Sequence, residues 1–440
     1  MKQYESYKES NILWLDRIPS HWTEKKLKHL VSCNDDVLEE STEPNLSINY
    51  VEISDVDSIG GVKQSTQYFF KDAPSRARRK TRIGDVIIST VRTYLKAIAS
   101  IKEDNLIVST GFAVLRPQKV DTVFISYALL NESFLGEVVA KSTGVSYPAI
   151  TSTDLIDISI PVPSLSEQRI IASYLDYKVG QIDSVIAEKE KMLADLRIYR
   201  SSVISEAVTK GLNKNVPMKD SGIDCLGSVP KHWRVTRLKF IADNYDGTHF
   251  SPETREFGMP YITAGDIRGK GINYDSAKKI SQEDYCRLVE QGCKIEKGDV
   301  LLVKDGATTG RVGLMTDEME CVALSSVAML RPHDDIDSLF LMYYMESYSM
   351  QTQIVNSMAG SAMPRITLTK LNEFIVNVPP IKEQKVITSF IDNEVEQIDI
   401  ITIEIEKEIE DLKSYKSSVI TEAVTGKVDL REWNKQNVTA

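Results

Sequence analysis

Nine residues in the middle of the chain, SSVISEAVT at 201–209, return near its end as SSVITEAVT at 417–425, identical in eight of nine places at a shift of 216. They do not return alone. IPSHW at 18–22 recurs as VPKHW at 229–233, and Leu27 as Leu238, both shifted by 211. GDV at 84–86 recurs at 298–300, RP at 116–117 recurs at 331–332, and the Glu-Gln pair at 167–168 recurs at 383–384, with the shift growing from 214 to 216. An ordered set of matches at a slowly growing offset means one long module written twice with small loop insertions, at a period beyond the solenoid range. The likeness is uneven. Between Asp35 and Gln67 little except Tyr50 and Asp55 has a counterpart, Tyr261 and Asp266, in the second copy. Constant segments therefore do one job twice, while divergent segments do two different jobs.

Each copy closes on a helical pattern. From Ser164 to Thr209, Ile171, Leu175, Ile182, Val185, Met192, Leu196, Tyr199 and Val203 follow a three-four alternation, interrupted by Lys178 and Lys189. Ser164 and Glu167 have the spacing of a capping box and Gly211 supplies a stop, so roughly 45 residues predict a rod of about 65 Å. The second copy repeats the seam with Ile387, Ile391, Ile398, Ile401, Ile405, Leu412, Tyr415 and Val419; Pro380 stands for the capping serine and Gly426 closes it. A lone rod cannot bury such a stripe. The economical arrangement packs the two rods antiparallel, with a globular module at each end of a pseudo-twofold axis; the alternative is that each helix packs only on its own module. The modules read as mixed α and β, with strands over Asp85–Thr90, Asp299–Lys304, Phe112–Arg116 and Val327–Arg331, and helices over Val123–Leu135 and Ser338–Met350. The expected fold class is α/β (α+β): two mixed α/β domains, 1–163 and 212–379, held apart by long antiparallel coiled-coil helices at 164–211 and 380–430, with a tail at 431–440.

Composition narrows the function. At 440 residues, 42% hydrophobic and 26% charged, the chain is a folded protein of about three units. No apolar run approaches the roughly 18 residues of a membrane span, and the polar first ten residues lack an apolar signal core, so a cytoplasmic address is expected. Five cysteines, odd in number and without a C-x-x-C pair, read as reduced packing thiols, and no metal site is expected. With 53 basic against 63 acidic residues the net charge is −10, which excludes a nonspecific nucleic-acid coat; any basic surface is local. There is no G-x-G-x-x-G, the segment 306–311 lacks the spacing and lysine of a P-loop, and no N-P-P-F-like tetrapeptide occurs, so no catalytic residue is assigned.

The order I/V-P-x-H-W, G-D-V with a strand, R-P, a Gly/Ser/Pro loop, E-Q and a long helix ending in SSVI-x-EAVT, present twice over nearly the whole chain, resembles the specificity subunits of type I restriction-modification systems. The resemblance implies two target recognition domains, each reading one half of a bipartite site in double-stranded DNA. It also implies that two copies of a methylation subunit dock on the helical regions, that a restriction subunit joins them, and that S-adenosylmethionine, ATP and Mg belong to those partners, with no cofactor bound by this chain. The rivals are a non-catalytic coiled-coil scaffold joining two protein-binding modules, and a self-sufficient methyltransferase-nuclease.

Base readers and phosphate clamps belong on loops between strands. In the first module the basic run from Lys71 to Arg82, with Arg76, Arg78, Arg79 and Lys80, is either a phosphate clamp or a solvated face. Arg92, Thr93, Tyr94 and Lys96 follow a strand and enter a groove or lie on its edge. In the second module Lys304, Asp305, Gly306, Thr308, Thr309 and Arg311 form a glycine-punctuated turn, DNA-contacting or an ordinary hairpin, with Thr248 and His249 as a second loop. Ser146 and Tyr147, with Ser361 and Arg365 at the matching place, complete the candidate set. Trp22 and Trp233 read as buried anchors. Exposed helix positions rarely need identity, so Ser201, Ser202, Glu206 and Thr209, copied at Ser417, Ser418, Glu422 and Thr425, mark either a surface for two copies of one partner or an uneroded duplication.

Overall fold

The computed structural model describes residues 2–57, 61–358 and 364–433. The chain divides into two compact units, 1–190 with 406–440, and 191–405. The two long helices, Leu165–Lys210 and Ile381–Val424, are each shared between the units.

In the first unit, a four-stranded antiparallel sheet runs in the order Ile98–Ser100, Val86–Ser89, Phe112–Pro117, Val31–Cys33. A second sheet orders Thr66–Phe69, Ser47–Val51, Leu106–Ser109 and Ala77–Lys80, with its central pair parallel. The second unit repeats the plan with a five-stranded sheet, Ala242–Asp246, Val327–Pro332, Val300–Val303, Val312–Leu314, Gly269–Lys270. Its smaller sheet holds Lys278–Ile280, Met259–Ile262 and Val322–Ala323. The Val86–Ser89 and Val300–Val303 strands are buried on both faces, which is why they read as unbroken apolar runs. Cys321 is buried in the second unit, and burial pushes its thiol up to about 12, the behaviour of a packing thiol.

The repeated motifs are the joints of this frame. Asp85 of the first G-D-V accepts from the Arg82 N–H at 2.9 Å, closing the turn, and takes both arms of the Arg116 guanidinium at 3.0 and 2.9 Å. Asp299 does the same with the Glu296 N–H and Arg331. These charge-assisted bidentate bonds raise the arginine pKa in both copies. Gln168 donates to the Pro163 carbonyl at 2.9 Å and accepts from the Asp121 N–H at 2.8 Å, and Gln384 makes the equivalent bonds to Pro379 and Asp337. Glu167 takes the Trp22 indole, the Tyr4 hydroxyl and His21; Glu383 takes His232. The expected capping box is thus half formed: the Ser164 hydroxyl accepts from the Glu167 N–H at 3.4 Å, but the carboxylate is spent on the I-P-x-H-W segment.

Trp22 and Trp233 are buried, as expected of anchors. Each lies under the glycine that ends a long helix. Gly426 (φ +73°) and Gly211 (φ +75°) adopt left-handed backbone, and a Cβ would come within 2.5 Å of Pro19 at the first and 3.1 Å of Trp233 at the second.

Two expectations are corrected. The helices predicted over Val123–Leu135 and Ser338–Met350 are each broken in two, Thr122–Leu130 then Glu132–Ala140, and Ser338–Glu346 then Tyr348–Ser357. Asn131 and Ser347 are extended and cap the second helix of each pair, accepting backbone N–H bonds that a continuous helix would supply internally. The helical seam also differs in register. In the first unit the dry positions are Ile171, Leu175, Val179, Ile182 and Ile186, whereas Val185, Met192, Tyr199, Ile401 and Tyr415 are exposed. A spacing weighted toward four follows the 3.6-residue helix rather than a 3.5-residue heptad.

Within each unit the start of one long helix packs antiparallel on the end of the other. In the first unit Ile171, Leu175 and Val179 share a core with Val419, Ile420, Ala423 and Val424, flanked by Asp183–Lys416 at 2.7 Å and by a Lys189–Glu408 pair. In the second, Ile204, Ala207 and Val208 share a core with Ile387, Ile391 and Val395. Ile391→Ala empties a fully buried site and is expected to cost about 2–5 kcal/mol, while exposed Ile403→Ala stays within about 0.5 kcal/mol; urea-unfolding midpoints compare them.

Candidate nucleic-acid interface

Three divergent loops of the second unit, well separated in sequence, are welded into one surface. The weld is Lys304, whose side chain is only 2% exposed and whose ammonium lies 3.2 Å from an Asp246 carboxylate oxygen and 3.4 Å from one of Asp305. Arg365 holds the other oxygen of Asp305 at 3.1 Å. Backbone bonds reinforce it: the Ile366 N–H donates to the Lys304 carbonyl at 2.9 Å and the Gly306 N–H to the Pro364 carbonyl at 3.1 Å. The Thr309 hydroxyl reaches both the Gly306 and Pro364 carbonyls, at 2.7 and 3.2 Å. Gly306 (φ +97°) and Gly310 (φ +95°) let the turn fold back on itself.

Lys304, Thr309 and Thr248 therefore brace the loops rather than face outward. Thr248 is buried; its N–H donates to the Ala323 carbonyl at 2.8 Å and its hydroxyl accepts from the Phe250 N–H at 3.0 Å. His249, Arg311 and Arg365 are exposed, and Thr308 is half-buried. Ser361 lies outside the described residues. Sequence reading missed Phe250 and Phe257, which stand out into solvent, and Arg287, whose guanidinium lies 4.3 Å from the Phe250 ring centre. The available signal was two aromatics in a loop otherwise built of polar residues.

In the first unit the matching place carries other chemistry. Val91 and Ala149 make the backbone bridge that Asp305 and Arg365 make in the second. Arg92 (φ +51°) and Lys96 (φ +48°) are non-glycine residues in left-handed backbone flanking the turn Thr93–Leu95. Such strain persists only where the surroundings impose it. The Thr93 N–H is tied to the Pro148 carbonyl at 3.4 Å and its buried hydroxyl to Ser142 at 2.7 Å, so Thr93 braces and does not face outward. Arg92 lies over the Tyr147 ring at 5.1 Å, and Tyr94, Val145, Ser146 and Tyr147 project from the surface. Lys96 pairs with Glu132.

The basic run is partly spent on the fold. Ala77–Lys80 is a strand paired with Leu106–Ser109, which turns alternate side chains inward. Arg79 is spent on the Asn34 side chain and the Phe112 carbonyl, and burial lowers its pKa. Arg78 lies over the Phe70 ring at 4.8 Å, Arg82 is exposed but paired with Asp36, and Lys71, Arg76 and Lys80 are exposed.

On the helix ends, Ser201, Ser202 and Glu206 are exposed and line a hollow of about 470 Å³ with Arg197, Ile198 and Tyr348. Ser417 and Glu422 are half-buried and Ser418 is exposed. Thr209 and Thr425 are corrected to interior positions: both are buried, and their hydroxyls bond back to the carbonyls of Ser205 and Thr421 at 2.5 and 2.6 Å.

A duplicated frame carrying two chemically unlike loop clusters is the build of a two-headed recognition protein. A family profile described as "Type I restriction modification DNA specificity domain" matches residues 19–191 and again 230–411, and the chain belongs to that family. It is similar to the specificity subunit of type I restriction enzyme EcoBI from Escherichia coli, 26% identical over 333 residues that cover 73% of this chain and 69% of the relative. It is also similar to the MjaVIII specificity subunit of Methanocaldococcus jannaschii, 26% identical over 323 residues covering 72% of each. Its fold is that of a solved chain from "Structural basis underlying complex assembly and conformational transition of the type I R-M system", at 22% identity and a TM-score of 0.68 over 93% of this chain and 99% of that one. Among the described residues no single helix is long and apolar enough to cross a membrane.

Lys304→Met leaves Asp246 and Asp305 without their buried counter-charge and is expected to cost about 3–5 kcal/mol in urea unfolding. Adding Asp246→Asn and Asp305→Asn is expected to recover much of that loss, since the penalty lies in the stranded charges.

Proposed function

We propose that this chain reads a bipartite, asymmetric site in duplex DNA and delivers partner subunits to it without performing chemistry itself. One half is read through Arg92, Tyr94, Ser146 and Tyr147, and the other through His249, Thr308, Arg311 and Arg365. The observation that carries the reading is the pair of equivalent bridges, Val91 with Ala149 and Asp305 with Arg365. One frame presents apolar and aromatic groups at that point in the first module and charged groups in the second. Interchangeable heads on a common mount are what two different half-sequences require.

Two copies of a methylation subunit dock on the helix-end surfaces around Ser201, Ser202 and Glu206 and around Ser417, Ser418 and Glu422, and a restriction subunit joins that assembly. S-adenosylmethionine, ATP and Mg act on those partners, in the cytoplasm where the DNA lies. The long helices set the unread gap, with half-site centres about one duplex turn, roughly 34 Å, apart.

Mapping methylated adenines in cells carrying this chain and its methylation partner tests the reading. Exchanging residues 212–379 for the matching segment of a relative is expected to change one half-sequence and leave the other intact; a change in both ends the proposal. Inserting one heptad into each long helix is expected to lengthen the gap while both half-sequences persist. A scaffold joining two protein-binding modules predicts instead no salt-dependent binding to duplex DNA.

A further inference from the structure

A cavity of about 630 Å³ opens in the second unit where the end of the first long helix meets the Gly269–Lys270 and Val312–Leu314 strands. Three arginines line it, Arg200 from the helix, Arg268 from the loop before the edge strand, and Arg311 from the end of the glycine turn. Arg200 is backed by Glu346 at 3.4 Å, a carboxylate whose pKa is raised by burial. Arg268 spends one nitrogen on the Gly265 and Ile267 carbonyls, and Arg311 one on the Ala264 carbonyl at 3.4 Å. Neither has a carboxylate partner among the described residues. In a chain of net charge −10, three arginines against one acid among the residues lining a single hollow give it a local excess of positive charge.

The aligned positions of the first unit carry other residues. The position of Arg311 is Ala97, that of Glu346 is Leu130, and that of Arg200 is Lys416, which is engaged with Asp183. The feature belongs to one head, not to the duplicated frame.

Resting on the DNA reading above, we propose that this cavity clamps backbone phosphates of the duplex on the helix side of the second half-site. Arg311 closes the turn that presents the second head's readers, so the strand read there continues past it, and Arg268 and Arg200 are the next donors along that path. Planar guanidiniums suit phosphate oxygens in bidentate geometry, and such contacts fix position without reading sequence. The consequence is an asymmetric footprint, in which the second half-site holds phosphates of the unread gap and the first does not.

The test uses the full chain with its methylation partner and a duplex carrying the mapped site. Arg268→Gln alone, and Arg200→Gln with Glu346→Gln so that no buried charge is stranded, are each compared with wild type and combined. The combined variant is expected to bind about tenfold more weakly at physiological salt. Its plot of log affinity against log salt is expected to be shallower by about 1.8, close to two phosphates, with the methylated sequence unchanged. Phosphate-ethylation interference is expected to show gap phosphates beside the second half-site in wild type and to lose them in the variant. An unchanged slope and footprint with intact sequence preference overturns the clamp and leaves the DNA reading standing. So does weakened binding of the methylation subunit with no change in the DNA slope, which assigns the cavity to an acidic partner segment. Wild-type protein that shows no sequence-specific duplex binding overturns the functional reading and the clamp together.

Discussion

Each long helix commits its first turn to holding something other than itself. Gln168 and Gln384 are nearly inaccessible, at 2% and 0% exposure, and each amide joins the proline-ended strand before the helix to the start of an earlier short helix at Asp121 or Asp337. A buried amide used at both ends is costly to replace, because an apolar residue strands a donor and an acceptor at about 1–3 kcal/mol each. The neighbouring glutamate ties the I-P-x-H-W segment to the same point. With helix, sheet and module entrance fixed there, the loops at the other strand ends carry little of the fold. That division lets the recognition loops of the two copies drift apart while their mounts remain alike.

The two copies finish the joint differently, and covalent continuity explains how. In the second unit Gly211 passes directly into the segment that leads to Trp233, so chain connectivity holds the helix end against the module. In the first unit the corresponding helix end, Gly426, meets residues 2–7, which lie far from it in sequence. Noncovalent bonds hold that end: the Asp429 N–H donates to the Lys2 carbonyl at 2.9 Å, the Tyr7 hydroxyl to the Gly426 carbonyl at 3.1 Å, and the Trp433 ring lies 5.7 Å from that of Tyr174. The extra Tyr4 bond to Glu167 belongs to the same compensation; at the equivalent place in the second unit stands Asn215, and the Trp233 indole N–H is buried without an acceptor among the described residues.

The duplicated frame was legible because its bonds are made by the repeated letters themselves. Gly-Asp-Val with Arg-Pro, and Glu-Gln with His-Trp, are two halves of the same contacts, so their joint recurrence carried the fold. The helix breaks were not legible: Asn131 and Ser347 interrupt strongly apolar runs, and whether such a residue caps a new helix or merely points outward depends on where the chain must turn. The seam was misread in its middle for a related reason, since a three-four alternation fits a heptad and a plain helix equally over a few turns. Lys304 resembled a clamp because a lysine beside glycine in a loop normally faces water. Its burial depends on Asp246, distant along the chain, and no local pattern announces that pairing. Thr209 and Thr425 failed likewise, their identity in both copies reflecting an interior bond to the preceding turn.

Counting basic residues misleads in a chain where acids outnumber bases, 63 to 53, because most arginines that look prominent in sequence are already spent. Arg116 and Arg331 are locked to buried aspartates, Arg79 to the interior of its sheet, and Arg82 to Asp36. Arg92, Arg268 and Arg311, like Arg76 and Arg255, sit at divergent loops without an ion-pair carboxylate among the described residues. A protein with abundant surface acid has easy means to neutralise an exposed arginine, through an ion pair worth little but available at almost any position. Leaving such arginines unpaired favours an incoming anion. Where neutralisation is withheld is a property of these loops, while the Gly-Asp-Val to Arg-Pro and Glu-Gln bonds of the frame are made alike in both units.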